Sequence, residues 1–450
     1  MLAAHASLNL PQPLGDGLIL RLATQADTQA LADFNARVLV DQDEPPELVS
    51  IWTRDLMSGR NPTTSAADFV VIEDTHTARI VSSACLIPQT WMYQDIPFPV
   101  GRPELVGTEP DYRRRGLARA TLDTIHALSA AYGHMLQGIT GIPWFYRQFG
   151  YEYALPLGGW REISLNDVPV LGENEADPYP VRRAFEEDIP ALMRLYDRLR
   201  AGKLVTTLID EVRWRYDLSG HTPGSDKEYR AYCILNTAGD VVGYYSSPAR
   251  LWGSRLGVWE IEVEAGVSLR AVLPSVLRAL KAQGEAYAAQ TGSGKSHLAA
   301  IRLALGIDHP AYAALEARLG PLQRPYAWYI RLPDVPGFIQ HIAPVLERRL
   351  VDSVMSGYTG ELKITFYRGG LRLAFEKGRL IDAADWRAPE TNIRWDGAGF
   401  PPLVFLKLLF GHRSLQELRE AFPDCWAREE PTLLLNALFP KMTSWVAPLG

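Results

Sequence analysis

The chain has 450 residues, 47% of them hydrophobic, and a formal net charge of −6, the balance of a globular protein with length for about three domains. That mild acidity excludes a global nucleic-acid footprint, so any local basic cluster must act on a small ligand. The three cysteines, Cys85, Cys233 and Cys425, are scattered and odd in number, which argues against a disulfide framework and for a reducing compartment.

The opening stretch MLAAHASLNLPQPLGDG lacks a basic start and an uninterrupted apolar core, and no later window reaches the length of a membrane span. The expectation is a cytoplasmic protein with no membrane and no nucleic-acid partner. No cluster shows metal-ligand spacing, so no metal is expected. The run RLATQADTQALADFN from Arg21 predicts a strand end, a turn and a capped helix. DFVVIEDTHTARIVSSACLI from Asp68 predicts a hairpin, and PELVGT, ending at Thr108, a short strand. Residues 110–133, PDYRRRGLARATLDTIHALSAAYG, then place three arginines and a glycine before a helix. Leu117, Thr121, Thr124, Ile125, Leu128 and Tyr132 repeat at helical spacing from about Gly116. Strand, arginine-rich turn and helix start make an anion-binding geometry, because free N–H groups and the helix dipole favour negative charge there. His126 and His134, on or just after this helix, read as surface residues. Residues 138–155, GITGIPWFYRQFGYEYAL, add a strand-like start, a proline and an aromatic block closed by Gly150.

A repeat follows the proline-rich, acidic linker LGENEADPYP at 171–180. RRAFEEDIPALMRLY from Arg182 shares Arg, Ala, Asp and Ala-Leu offsets with the run at Arg21, and YRAYCILNTAGDVVGYYSS from Tyr229 reads as a second hairpin. GVWEIEVEAGVSLRAVLPSVLRALKAQG from Gly257 occupies the place of the arginine loop, but VSLRAVL has lost the glycine and two of the arginines. TGSGKSHL at 291–298 ends like a P-loop. Ala289 stands where that motif needs a glycine and the preceding run looks helical, so a polar connector is the expectation. Beyond about Leu332, ELKITFYRGGLRLAFEKGRLIDAADW predicts an antiparallel sheet, and LVFLKLLFGHRSLQELREAF and EEPTLLLNALF predict leucine-striped helices.

The spacing Arg113-x-x-Gly116-x-Ala118, followed by FYRQFGYE, resembles the pyrophosphate loop and aromatic-glycine segment of the GNAT superfamily of acyl-CoA N-acyltransferases. With the repeat and the tail LLNALFPK, the whole chain is similar to the enhanced-intracellular-survival type. That resemblance implies an α/β (α+β) fold: two tandem GNAT-like mixed-sheet domains, at 1–160 and 175–335, and a sterol-carrier-like α+β domain at 336–450. It implies acetyl-CoA as co-substrate. The pyrophosphate would rest on Arg113, Arg114, Arg115, Gly116, Leu117, Ala118 and Arg119, and the pantetheine arm along Val106, Gly107 and Thr108, where the strand splays from its neighbour. Gly141 and Ile142 complete the implied contacts. Tyr146 is the implied acid. For the base two candidates stand: the terminal carboxylate of Gly450, where those enzymes end in an aromatic residue, and Glu104 on the strand before the loop. The implied acceptor is a primary amine, on an aminoglycoside, a polyamine or a lysine, and the implied assembly is a homo-oligomer, commonly a hexamer. A non-catalytic acyl-CoA or lipid-binding protein, working through its tail domain, is the alternative.

Overall fold

The computed structural model describes residues 8–39, 45–290, 297–388 and 396–447. These residues form a mixed α+β fold with four sheets. The first sheet runs in the order β1 (Gln12–Gly15), β2 (Leu18–Leu22), β3 (Phe69–Asp74), β4 (Arg79–Tyr93), β5 (Ile96–Thr108), β6 (Leu136–Ile139), then Tyr326–Arg331, then β7 (Glu152–Leu157). Its strands read as near-continuous apolar runs because both faces are covered. On one face Val71, Cys85 and Ile87 pack against Leu31 and Phe34 of α1 (Thr28–Val38) and Trp52 and Leu56 of α2 (Pro46–Met57). On the other, Val70, Ile72 and Leu86 meet Leu117, Ile125 and Leu128 of α3 (Leu117–Ala131).

The region expected to be a second copy builds a sheet of Glu260–Val263, Val241–Pro248, Tyr229–Leu235 and Val181–Arg183. Helices Ile189–Arg200, Glu211–Ser219 and Leu269–Gln290 belong to the same region. The shared offsets carry a shared contact. Arg21 grips Asp27 through two hydrogen bonds of 2.9 and 2.7 Å, and Arg182 grips Asp188 at 2.7 and 2.8 Å. In both, the aspartate also accepts from the backbone N–H three residues before it, closing the turn that opens the helix. The segment ahead of the P-loop-like residues is helical to Gln290, and residues 291–296 of that segment lie outside the described residues.

Strands cross between the two expected copies. Tyr326–Arg331, near the end of the expected second domain, inserts antiparallel between β6 and β7 of the first sheet. Arg161–Ser164, directly after β7, pairs with Ala300–Leu303, which pairs in parallel with Arg255–Val258. Gly158 and Gly159, with φ of 66° and 94°, let the chain turn from one sheet into the other.

The tail folds as a five-stranded sheet, in the order Arg379–Asp385, Gly370–Glu376, Gly360–Thr365, Ala398–Gly399 and Trp426–Ala427. The first three are antiparallel, whereas Ala398–Gly399 joins in parallel. Its helices share one core with the β4–β5 arm. Phe338 meets Phe98 edge-on at 5.2 Å, and Tyr93 donates to the Leu409 carbonyl at 2.8 Å.

Candidate active site

Two breaks in regular pairing open a cleft in the first sheet. β5 pairs in parallel with β6 only at Val100–Leu136 and Gly101–Gln137, while the other edge of β6 pairs with Tyr326–Arg331 from Gln137 to Ile139. Between the pairs Ser83–Gly107 and Cys85–Glu104, β5 carries one extra residue, and Leu105 takes a positive φ of 52°. Such a bulge bends the strand and sharpens its twist. The far end of β5 is therefore unpaired on the β6 side.

The helix start faces this opening. Pro110–Tyr112 forms a single 3-10 turn, Arg114 has φ 62°, and Gly116 caps α3 from the left-handed region at φ 78° with no side chain bonded to the exposed amides. A Cβ on Gly116 would find nothing within 4 Å. Its φ, rather than crowding, demands glycine, and the first-turn N–H groups are left for a ligand. Coenzyme A fits this cradle: open space, unclaimed amides and basic side chains converge at one helix start.

A cleft of about 520 Å³ joins these parts. Ten of the expected contact residues line it: Val106, Gly107, Thr108, Arg113, Arg114, Gly116, Leu117, Ala118, Arg119 and Ile142. Two do not. Arg115 turns aside to Asp16 at 3.1 Å, with its guanidinium 5.4 Å from the centre of the Tyr112 ring. Gly141, at φ 127°, backs the Tyr146 ring, which a Cβ there would meet at 3.3 Å. Arg119 ties the loop to the aromatic segment, standing 4.7 Å over the Phe149 ring.

Tyr146 also lines the cleft. It lies in the 3-10 turn Phe145–Phe149, between Trp144 at φ 65° and Gly150 at φ 85°. Its ring is buried among Phe145, Tyr151 and Tyr329, at centroid distances of 5.2, 6.0 and 6.5 Å. Its hydroxyl has no hydrogen-bond partner among the described residues. Burial, then the nearby Glu104 carboxylate and Tyr326, push its phenol well above the ordinary tyrosine value. It stays protonated.

Glu104 sits just before the bulge and pairs with the buried Arg102, whose guanidinium lies 5.4 Å from the centre of the Trp328 ring. Trp328 in turn donates to the Val446 carbonyl at 3.3 Å, bringing the chain's last described residues beside this pair. Gly450, the other expected base, lies outside the described residues. His126 and His134 are not surface residues. His126 Nε2 bonds the Tyr151 hydroxyl at 2.8 Å and burial lowers its pKa to about 3; His134 is buried against Ser129 Oγ at 3.0 Å, its pKa lowered to about 4. Sequence reasoning passed over Tyr326 and Tyr329, because no local signal in YAWYIR tells that the strand crosses into the first sheet.

Residues 20–154, which hold the cleft, match the acetyltransferase (GNAT) domain family. The protein is an N-acyltransferase enzyme. Over its whole length the chain is similar in fold to solved structures of low identity. A GCN5-related N-acetyltransferase from Anabaena variabilis is 16% identical, with a TM-score of 0.62 over 95% of this chain and 99% of that one. A conserved protein from Enterococcus faecalis described as a probable N-acyltransferase is 13% identical, with a TM-score of 0.64 over 96% and 99%. Eis1 from Mycobacterium abscessus is 15% identical, with a TM-score of 0.55 over 95% and 98%. No curated protein sequence matches the chain significantly.

Proposed function

We propose that the chain transfers an acetyl group from acetyl-CoA directly to a primary amine, with Tyr146 as general acid. The observation that carries this reading is the meeting, in one cleft, of an uncapped helix start and a buried phenol with an unpartnered hydroxyl. Acetyl-CoA, when bound, supplies a thioester whose carbonyl is open to a neutral amine. The first-turn amides of α3 with Arg113, Arg114 and Arg119 hold the pyrophosphate, and the unpaired edge at Val106–Thr108 receives the pantetheine arm. Tyr146 gives its proton to the departing sulfur, a task suited to a phenol that stays protonated at neutral pH. Glu104 is the described candidate to take the amine proton, and the Gly450 carboxylate is the other. Most of the catalytic gain comes from holding amine and thioester in register.

The same reading makes the protein a cytoplasmic homo-oligomer of the enhanced-intracellular-survival type, with a sterol-carrier-like tail. Coenzyme A release from acetyl-CoA, measured against aminoglycosides, polyamines and lysine peptides, tests it. Amine-dependent release with N-acetylated product supports the reading, and no release with any amine overturns it.

A further inference from the structure

We propose that Tyr326 is a positioning residue for Tyr146: carried on the exchanged strand, its hydroxyl pins the turn on which the Tyr146 ring rests. This rests on Tyr146 being the acid.

In the turn between β6 and Phe145–Phe149, the Arg147 guanidinium stands 4.8 Å over the Trp144 ring. Ile142 is 62% exposed and Trp144 is 70% exposed, and Trp144 takes a left-handed φ that a bulky residue adopts at a cost. Gly141 lies in this turn and backs the Tyr146 ring so closely that a Cβ would stand 3.3 Å from Cε2. Tyr326 donates its hydroxyl hydrogen to the Gly141 carbonyl. Three residues along the same strand, the Tyr329 ring packs at 6.5 Å from that of Tyr146. One strand thus braces the acid twice, through the backbone beneath its ring and through a ring beside it. Both braces come from a strand about 180 residues downstream, since Tyr326 and Gly141 are 185 positions apart. The acid's placement therefore depends on the second copy being folded and docked, although the GNAT family match ends at residue 154.

Without the hydroxyl, Gly141 is free to shift and Tyr146 to move away from the sulfur. Displacements of about 1 Å can cost up to about 10²-fold in rate. The test is a double-mutant cycle on the full chain, reading coenzyme A release with ethanolamine, spermidine and kanamycin as probes, together with acetyl-CoA affinity and Tm. Tyr326→Phe should lower kcat about tenfold, with KM for acetyl-CoA within twofold and Tm nearly unchanged. In the Tyr146→Phe background the same change should cost nothing further, because the acid it positions is already gone. Gly141→Ala, whose Cβ presses on the ring, should repeat the loss in kcat. Wild-type kcat for Tyr326→Phe alongside a slow Tyr146→Phe overturns the inference and leaves the acid in place. So does a full additive loss in the double variant. Near wild-type turnover for Tyr146→Phe instead removes the acid role on which the inference stands.

Discussion

The two copies open their long helices in opposite ways. In the first, Gly116 caps α3 without a side chain and the amides of the first turn stay free. In the second, Ser268 Oγ accepts from the Ala271 N–H at 3.4 Å at the start of Leu269–Gln290. The gap beyond each strand differs too. The unpaired edge of β5 borders a cleft, whereas beside Glu260–Val263 His309 Nε2 reaches the Ile261 carbonyl at 3.2 Å. The phenols that follow also diverge. Among the described residues the Tyr146 hydroxyl has no partner, while that of Tyr312 lies 2.8 and 2.9 Å from the Leu303 and Gly306 carbonyls, which share its one hydrogen. The first region thus leaves its helix start open onto a cleft, and the second closes on itself. What separates them is whether backbone and phenolic donors and acceptors are left unpaired, since buried polar groups are otherwise satisfied internally.

The largest expected effect breaks the chemistry of the first copy alone. Tyr146→Phe keeps the ring and removes the proton, so kcat should fall by roughly 10² to 10⁴ while acetyl-CoA affinity barely changes. Turnover close to wild type would return Tyr146 to the class of packed aromatics, where Tyr312 belongs. Next comes Gly116→Glu, which adds bulk and negative charge at the open helix start. Acetyl-CoA affinity should drop by at least about 100-fold, or about 2.7 kcal/mol, with circular dichroism unchanged. Unaltered affinity would deny the loop its role.

A third effect is common to both copies. Burial lowers the pKa of His134 in the first and of His309 in the second to about 4, from an ordinary value of 6.5. A base depressed in the folded state is neutral there, so the unfolded chain binds more protons once the pH falls below 6.5. Their contribution is complete above that pH and is lost progressively toward pH 4. The Tm should decline over this window, and His309→Gln should flatten the decline; a Tm independent of pH from 6.5 to 4 would refute it. The smallest effect falls on the second helix start. Ser268→Ala removes a cap and should cost about 1 kcal/mol of stability, with acetyl-CoA binding untouched, and weakened binding would mean that the second copy shares the site.

What was legible in the sequence was local. RRRGLAR could be placed at a helix start because a glycine between basic residues and a 3.6-residue apolar stripe are short-range signals, and the structure puts Gly116 at the cap of Leu117–Ala131. The direction of each arginine was not legible. Neighbours in a tight turn diverge widely, so Arg114 enters the cleft while Arg115 reaches Asp16. His126 and His134 read as surface because histidine beside a helix usually is, but each found a polar partner, Tyr151 and Ser129, that makes burial affordable. The strand exchange was invisible. YAWYIR announces a strand, whereas its insertion between β6 and β7 depends on contacts about 170 to 190 residues apart, beyond any periodicity.

The most direct test of the contrast between the copies is calorimetric titration of the full chain with acetyl-CoA. One site per chain is the result predicted here, abolished by Gly116→Glu and unaffected by Ser268→Ala. Two equivalent sites per chain, or none, would contradict it.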